Sequence, residues 1–516
     1  MAAEQLEIET KFDVPLTYVV PELAGVEGVA SADAPVEHRL EARYFDTADL
    51  RLARARITLR RRTGGTDAGW HVKLPATEGA RRELHQPLGR ATRRPPKAVT
   101  APLAGVLRSA VPGPVAQLRT RRVVTVLRDA DGRPLAEVAD DTVSATRLSG
   151  PDGTAEVRSW REVEVELIEG DRALLGRVGE RLVAAGAATT DRASKLARAL
   201  GQHDEPEPPA DERPAKRKKK GKAARPAGPS AGEVALTALA DEVRALQLAD
   251  VGLRTGADDG LRRMRIACRR LRGLLAAFRP LVDRTATDPL REELRWLAAR
   301  LSEARDEQVA FAGLRASVAE LPPELVLGPV AARLQASEIA AAERGRARAA
   351  DLVAERRHLE LLDALDALLA APPLTARASG PAVEVLPAVL RRETRRVRSA
   401  AAHATTLTDA ERTEELHAVR RRARRARFTA QALAPVLGDP ARDVARTAKR
   451  TQRLLGALQD LVVVASHARQ LAVSAHAAGE PGFTYGLLLG RAEERARDAE
   501  RVFAERWPAL AERLGG

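Results

Sequence analysis

The sequence predicts an α+β multidomain protein, with a β-rich N-terminal region and an all-helical C-terminal region. Up to about Leu200 short runs alternate apolar and polar residues and are broken by Gly, Pro and Asp, the signature of strands. From Glu233 onward apolar residues recur at three and four within Ala-, Leu-, Arg- and Glu-rich segments, with breaks at Pro or Gly, the signature of helices. Between them lies HDEPEPPADERPAKRKKKGKAARPAGPSAGE, which has no apolar periodicity and reads as a tether. The expected organisation is therefore a β-rich domain over 1–200, a basic, Pro-rich disordered linker over 201–232 and a helical domain over 233–516. At 516 residues the chain is long enough for several cores.

The strand elements follow in order. LEIETKF (6–12) puts Leu6 and Ile8 on one face and Glu7, Glu9 and Lys11 on the other, because side chains alternate along a strand. ARITLRRR sets Thr58, Arg60 and Arg62 opposite Ile57 and Leu59. GWHVKLP points His71 and Lys73 away from Trp70 and Val72, and GARRELHQPL gives Arg81, Glu83 and His85 one parity. QLRTRRVVTVL pairs Arg119 with Arg121, and DADG (129–132) is a hairpin signal. WREVEVELIEG (160–170) sets Glu162, Glu164 and Glu166 against Val163, Val165 and Leu167. Helices are expected near 98–110, 171–186 and 191–200.

The formal net charge of +14 and a pI near 10.5 point to polyanionic partners: phosphorylated small molecules, polyphosphate, nucleic acid or an anionic surface. Aromatic residues make up 3% of the chain, too few for base-stacking platforms, which counts against nucleic acid. A single cysteine, Cys268, excludes a disulfide framework and a Cys-based metal site. The acidic start and the lack of a long uncharged apolar run lead to the expectation of a cytoplasmic protein without a membrane partner.

One acidic strand alone would be a solvated face. Two acidic strands near the ends of one β-rich region need cations if their carboxylates are buried together. Carboxylate oxygens without a Cys or His cluster favour hard ions, Mg²⁺ or Mn²⁺. A closed or nearly closed sheet turning these faces inward would make a charged tunnel. Glu7-x-Glu9-x-Lys11, RYFDTADLRLARARITLRRR, WHVKLP, EVEVELIEG and SKLARAL, in that order, resemble the CYTH (triphosphate tunnel metalloenzyme) superfamily over about residues 4–200. The resemblance implies an eight-stranded antiparallel tunnel that binds a triphosphate with a divalent metal. Carried over by position, it implies metal ligation by Glu7, Glu9 and two of Glu162, Glu164 and Glu166. It also implies phosphate binding by Lys11, Arg60, Arg62, Lys73, Arg121 and Lys195, to which shared strand parity adds Arg81 and Arg119. Lys11 and Glu83 are the catalytic candidates. His85 departs from the pattern, standing where many relatives have a second glutamate.

The helical region contains a repeat: LRRMRIACRRLR (261–272) aligns with LHAVRRRARRAR (416–427). Two related halves are expected, over about 233–375 and 380–516, as tandem helical bundles. The second copy, from His417 through Arg420, Arg424, Arg425 and Arg427, resembles the CHAD domain, a helical domain named for its histidines and associated with inorganic polyphosphate. In the first copy Arg262 stands at the His position, followed by Arg265, Arg269 and Arg272. Each set forms one helix stripe, and two such stripes facing each other would hold a long polyanion. Lys449 joins the candidate polyphosphate set, and Asp306 and Asp460 are expected to orient basic side chains.

The expected function is divalent-metal-dependent hydrolysis of inorganic triphosphate, or a related triphosphate, with polyphosphate bound by the helical region. The alternatives are a non-catalytic polyphosphate-binding protein and a nucleotide cyclase of the adenylyl cyclase kind.

Overall fold

The computed structural model describes all residues except 1–2, 76–80, 90–93, 149–155, 191–193, 202–227, 258 and 516. Most of the expected linker, including KRKKKGK, lies outside the described residues. The contacts divide the chain into two compact units, Met1–Lys219 and Lys220–Gly516. Among the described residues no helix is long and apolar enough to cross a membrane.

The first unit is built on one antiparallel sheet of β1 (Ala3–Glu7), β2 (Glu9–Val14), β3 (Ser31–Ala32), β4 (Val36–Asp46), β5 (Thr58–Thr63), β6 (Gly69–Pro75), β7 (Arg81–Pro87), β8 (Gly113–Arg128), β9 (Pro134–Arg147), β10 (Glu156–Leu167) and β11 (Ala188–Thr189). Its order is β1-β7-β6-β5-β4-β8-β9-β10-β2-β11, with β3 beside β8. The ladder does not return on itself strand by strand. Its two flanks are instead formed by β1 and β2, consecutive pieces of chain separated by Ile8 alone. β1 pairs with β7 (Glu7 opposite Arg81) and β2 with β10 (Glu9 opposite Glu166), so the chain itself joins the flanks of the sheet. Counting Ala3–Val14 as one strand leaves eight long strands, the expected number.

The alternation read from the sequence explains which face is which. Val163 and Val165 are buried with Phe12, Leu127, Leu174 and Val178 beneath α4 (Arg172–Ala184), which leaves Glu162, Glu164 and Glu166 for the opposite face. A second apolar cluster joins Leu118, Val143 and Trp160 to Leu196 and Leu200 around α5 (Lys195–Ala199). The hairpin between β8 and β9 turns where Asp129 accepts from the backbone N–H groups of Asp131 and Arg133, with Gly132 at φ 79°.

The second unit is all helical. Its first half runs Ala231–Arg254, Gly260–Ala277, Arg284–Ala319, Val330–Ala354 and Arg356–Ala370; its second runs Ala382–Ala404, Asp409–Leu437, Asp439–Ala477 and Phe483–Arg513. Ser230 caps the first helix in a reciprocal box with Glu233, which starts the helical region at Ala231. The two halves share one hydrophobic core, in which Leu239, Leu271 and Leu294 of the first half pack with Leu386, Val419 and Leu455 of the second. The repeat also preserves an ion pair, part-buried in the first copy and built on the fully buried Glu393 in the second. Arg270 donates to Glu242 at 2.7 Å, and its equivalent Arg425 donates to Glu393.

Cys268 is fully buried on Gly260–Ala277, and burial pushes its thiol up to about 12. At pH 8 a thiol reagent is expected to label native protein at least about 100-fold more slowly than denatured protein. Equal labelling rates would contradict this packing.

Candidate active site and phosphate-binding surfaces

The inward faces of the sheet enclose one cavity of about 920 Å³. Glu7, Glu9 and Lys11 come from the first strand, and Thr58, Arg60 and Arg62 from β5. β6 adds His71 and Lys73; β7 adds Arg81, Glu83 and His85; β10 adds Glu164 and Glu166. Lys195 reaches in from the start of α5. The strands therefore bring five of the six expected acids (all but Glu162) and most of the expected cations to the lining of one chamber.

On one wall the carboxylates of Asp141, Glu162 and Glu164 converge, each offering an oxygen within 4.8 Å of the others. Strand register makes this cluster, since Glu162 stands opposite Asp141 and Glu164 opposite Lys11. Asp141 is fully buried, and Glu162 and Glu164 are nearly so. Three carboxylates so placed repel one another unless cations intervene. The Lys195 ammonium does so, 3.0 Å from Asp141, 2.6 Å from Glu162 and 2.7 Å from Glu164. Arg122 donates two hydrogen bonds to Asp141, at 2.8 and 2.7 Å, and another to Glu164 at 2.7 Å. Lys11 donates to Glu164 and lies 3.2 Å from Glu9. Burial alone would raise the Glu164 carboxyl, but Lys11, Lys195 and Arg122 outweigh it and hold the group well below the usual range.

On the other wall Lys73 bridges Glu7 at 2.6 Å and Glu83 at 3.5 Å. Burial raises the Glu7 carboxyl to about 8, reinforced by Glu83 and opposed by Lys73. His71 holds Glu83 through Nδ1, while its Nε2 lies 3.0 Å from the carbonyl of Asp67. Burial, with Arg60 and Arg62 adding to it, brings His71 down to about 4 against the pull of Glu83. His85 stacks on His71 with ring centroids 4.8 Å apart. It sits over Gly69, where a Cβ would come within 2.1 Å of its Nε2, so residue 69 must stay small. Arg62 is lowered to about 9 by burial and by repulsion from Arg60 and Arg122. Cations crowded in this way are stabilised by an anion among them.

Arg119 and Arg121 are not in the chamber. They lie on the outer face of β8, 77% and 56% exposed, near Glu41 and Glu37 respectively. The inward parity of β8 belongs to Arg122, which the sequence reading passed over because both parities of LRTRRVV carry arginine. Asp141 and Glu137 were also missed. Their signal was the alternation Glu137-x-Ala139-x-Asp141 in AEVADD, which puts both beside the Glu162–Glu166 row. Among the described residues the convergent acidic trio is thus Asp141, Glu162 and Glu164. Of that trio Glu164 lines the cavity, together with Glu7, Glu9 and Glu166, while Asp141 and Glu162 stand behind it. These oxygen-only donors suit a hard divalent ion, Mg²⁺ or Mn²⁺.

In the helical unit both arginine stripes run along inter-helix crevices. Arg265 and Arg269 lie 3.2 and 3.4 Å from the Ser302 hydroxyl. Ser302's counterpart Gly456 faces Arg420, the counterpart of Arg265. The stripes approach each other at Arg424, which burial and the neighbouring Arg269, Arg420, Arg421 and Arg272 lower to about 9. Arg427 donates to Gln452 at 3.1 Å. His417 is half-buried and pushed below its ordinary value by burial and by Arg421 and Arg420. Arg262 and Lys449 are exposed. The side chain of Asp306 lies outside the described residues.

A tunnel-forming β unit followed by a helical repeat unit defines a protein in which a CYTH domain precedes a CHAD domain. The CYTH domain model matches residues 5–200 and the CHAD domain model residues 237–469. Two Mycobacterium tuberculosis proteins, Rv2226 of strain H37Rv and MT2285 of strain CDC 1551, are each 36% identical to this chain over 520 residues, covering 97% of it and 94% of theirs. The chain belongs to this CYTH–CHAD family. Among solved structures, the CHAD domain of the plant Ricinus communis is 23% identical and covers 55% of this chain and 93% of its own, with a TM-score of 0.43. A putative adenylyl cyclase from Hippeastrum, described as having a dominant triphosphatase activity, is 17% identical over 38% of this chain and 96% of its own, with a TM-score of 0.24.

Lys195→Ala would leave the acidic trio without its central cation. The expected cost is about 3–5 kcal/mol of stability, as for other broken buried ion pairs. Thermal denaturation of the full chain should show it, and Mg²⁺ or Mn²⁺ should recover more of the lost midpoint in the variant than it adds to the parent. Equal metal responses in the two proteins would argue against a cation seat at this trio.

Proposed function

We propose that the CYTH unit hydrolyses a linear triphosphate, inorganic triphosphate or a close relative, with Mg²⁺ or Mn²⁺, and that the CHAD unit binds inorganic polyphosphate. The observation that carries the reading is the single cavity in which seven cationic side chains face a row of buried carboxylates. Lys11, Arg60, Arg62, Lys73, Arg81, Arg122 and Lys195 hold non-bridging phosphate oxygens and neutralise the charge that builds up during phosphoryl transfer. Asp141, Glu162 and Glu164, with Glu7, Glu9 and Glu166 beside them, are the candidate metal ligands. A divalent ion bound there supplies charge neutralisation and polarises the phosphoryl group.

Glu83 orients the attacking water for in-line displacement. His71 and Lys73 fix its carboxylate, and hydrogen bonds from His71 and Glu7, with the charges of Lys73 and Arg60, hold it well below the usual carboxylate range against burial. Lys11, between Glu9 and Glu164, links the acidic wall to the phosphate path. Among the described residues the cavity lining includes Tyr44 and three histidines but no Phe or Trp, which favours an inorganic chain over a nucleotide and ranks cyclisation of ATP behind hydrolysis. In the CHAD unit the facing stripes of Arg265, Arg269 and Arg272 and of Arg420, Arg424 and Arg427 follow a chain of phosphates. Such binding weakens steeply with salt.

A second reading has one specific observation behind it. Lys195 already compensates the acidic trio, as it would in a chamber that grips the end of a polyphosphate without cleaving it.

Phosphate release from triphosphate, longer polyphosphate, ATP and thiamine triphosphate, each with Mg²⁺ and Mn²⁺, separates the two. Hydrolysis is expected with triphosphate, and Glu7→Gln with Glu9→Gln should abolish it; turnover unchanged in that variant removes the metal assignment. Binding without release in every arm would leave the gripping reading. Arg122→Gln should lower kcat/KM by about 100-fold or more, while Arg121→Gln, on the outer face, should stay within about twofold of the parent. The reverse order would mean that β8 presents its other parity to substrate.

A further inference from the structure

The duplicated helices supply an internal comparison. In the second half a crevice of about 710 Å³ opens between Ala382–Ala404, Asp409–Leu437 and the end of Gly260–Ala277. In the first half a crevice of about 420 Å³ opens beside the equivalent arginine, Arg270, but extends toward Glu233 and Pro435 rather than along the positions equivalent to Arg395–His403. The first-half crevice is acidic and apolar, with Glu233, Asp241, Glu242, Val234 and Phe428 around its single arginine. The second-half crevice is lined by seven arginines, among them Arg279, Arg291, Arg395, Arg396, Arg422 and Arg425. A generic solvated helix face would have the same character in both copies. Here Arg392 stands where the first half has Asp241, and of the seven arginines only Arg425 has a counterpart, Arg270, lining the other crevice.

The arginines are held in place from behind. Glu393, fully buried, anchors Arg396 at 2.9 Å and Arg425, and lies 3.6 Å from Arg392. Asp288 anchors Arg279 at 2.6 Å and Arg291 at 2.8 Å, and Glu415 anchors Arg422 at 2.8 Å. Three carboxylates against seven guanidiniums leave an excess of four positive charges, not counting His403. The Nε atoms of Arg279, Arg291 and Arg392 are buried without a hydrogen-bond partner. Fixed guanidiniums with spare donors and excess charge match phosphoryl oxygens, which accept several charge-assisted bonds in a fork geometry.

We propose that this crevice is a separate binding site for a short, compact run of phosphoryl groups, distinct from both the tunnel and the arginine stripes. It rests on the helical unit being a polyphosphate binder, and adds to it a site of defined size where the first half meets the helices Ala382–Ala404 and Asp409–Leu437. The ligand is either a free short oligophosphate or the end of a long polyphosphate, and the two sources are separable by chain length.

The test uses the full chain with its tunnel silenced by Arg60→Gln and Lys73→Gln, in the presence of EDTA, titrated calorimetrically with inorganic tripolyphosphate. One tripolyphosphate is expected to bind. Arg395→Gln, Arg396→Gln and Arg422→Gln combined should weaken it about tenfold or more, and Arg420→Gln with Arg424→Gln by less than about threefold. Arg395→Gln alone changes an exposed side chain and guards against misfolding; it should weaken binding by about threefold with an unchanged melting midpoint. No binding in the silenced chain, no effect of the crevice variants, or equal loss in the stripe variant would each overturn the proposal. Long-chain polyphosphate forms the second arm. Its weakening by the crevice variants assigns the site to chain ends, and its indifference assigns the site to free oligophosphate. Failure of the stripe variant to weaken long-chain binding would instead count against the stripes, without touching the tripolyphosphate result.

Discussion

The mutual compensation of buried charge inside the tunnel is the constraint on which the first unit depends. Asp141, Glu162, Glu164 and Glu83 are all at most 8% exposed, a burial that ionised carboxylates tolerate only beside cations. Lys195, Arg122, Lys11 and Lys73 meet that demand with short ion pairs spread over several strands and one helix. The register of β10 against both β2 and β9 follows from the same need, because a slip of one residue would send every glutamate of that strand outward and every valine in. Such a chamber is also poised for exchange. Under the proposed function, a divalent ion and a phosphate chain arriving together would bring opposite charges, and resident lysines would pass from carboxylate to phosphate without any group being left uncompensated.

The second unit solves a different problem by duplication. Its two halves keep the pair Glu242–Arg270 and its copy Glu393–Arg425, along with the helix contact at Ser302 and its copy Gly456, around a shared apolar core. With packing provided by the repeat, the outward residues were free to differ. One crevice became acidic and apolar while the other filled with arginine.

Much of this was legible in the order of residues. Strict alternation in LEIETKF, ITLRR, WHVKL and REVEVEL told the inner face from the outer one, because in each run one parity was apolar. The helices at Lys97–Thr100, Ala104–Leu107, Arg172–Ala184 and Lys195–Ala199 fall in the three expected stretches. Legibility failed where that contrast was missing. In QLRTRRVV both parities are basic, so Arg119 and Arg121 were placed inward when Arg122 holds that position. In AEVADD an alanine interrupts the acidic row, and Asp140 beside Asp141 blurs its parity, so the most buried carboxylate of the trio was not nominated. The arginine crevice was illegible for another reason: it joins residues from four helices, and no local pattern announces that Arg279 and Arg422 will meet.

The most direct measurement is the binding of Mn²⁺ to the full chain in the presence of tripolyphosphate, followed by the electron paramagnetic resonance signal of the free ion. Tunnel-bound metal should remove free signal in the parent, and Asp141→Asn with Glu164→Gln should return most of the fraction that belongs to the tunnel. Signal loss identical in parent and variant would show that the converging carboxylates hold no ion, and the tunnel would have to be understood as a charged grip alone.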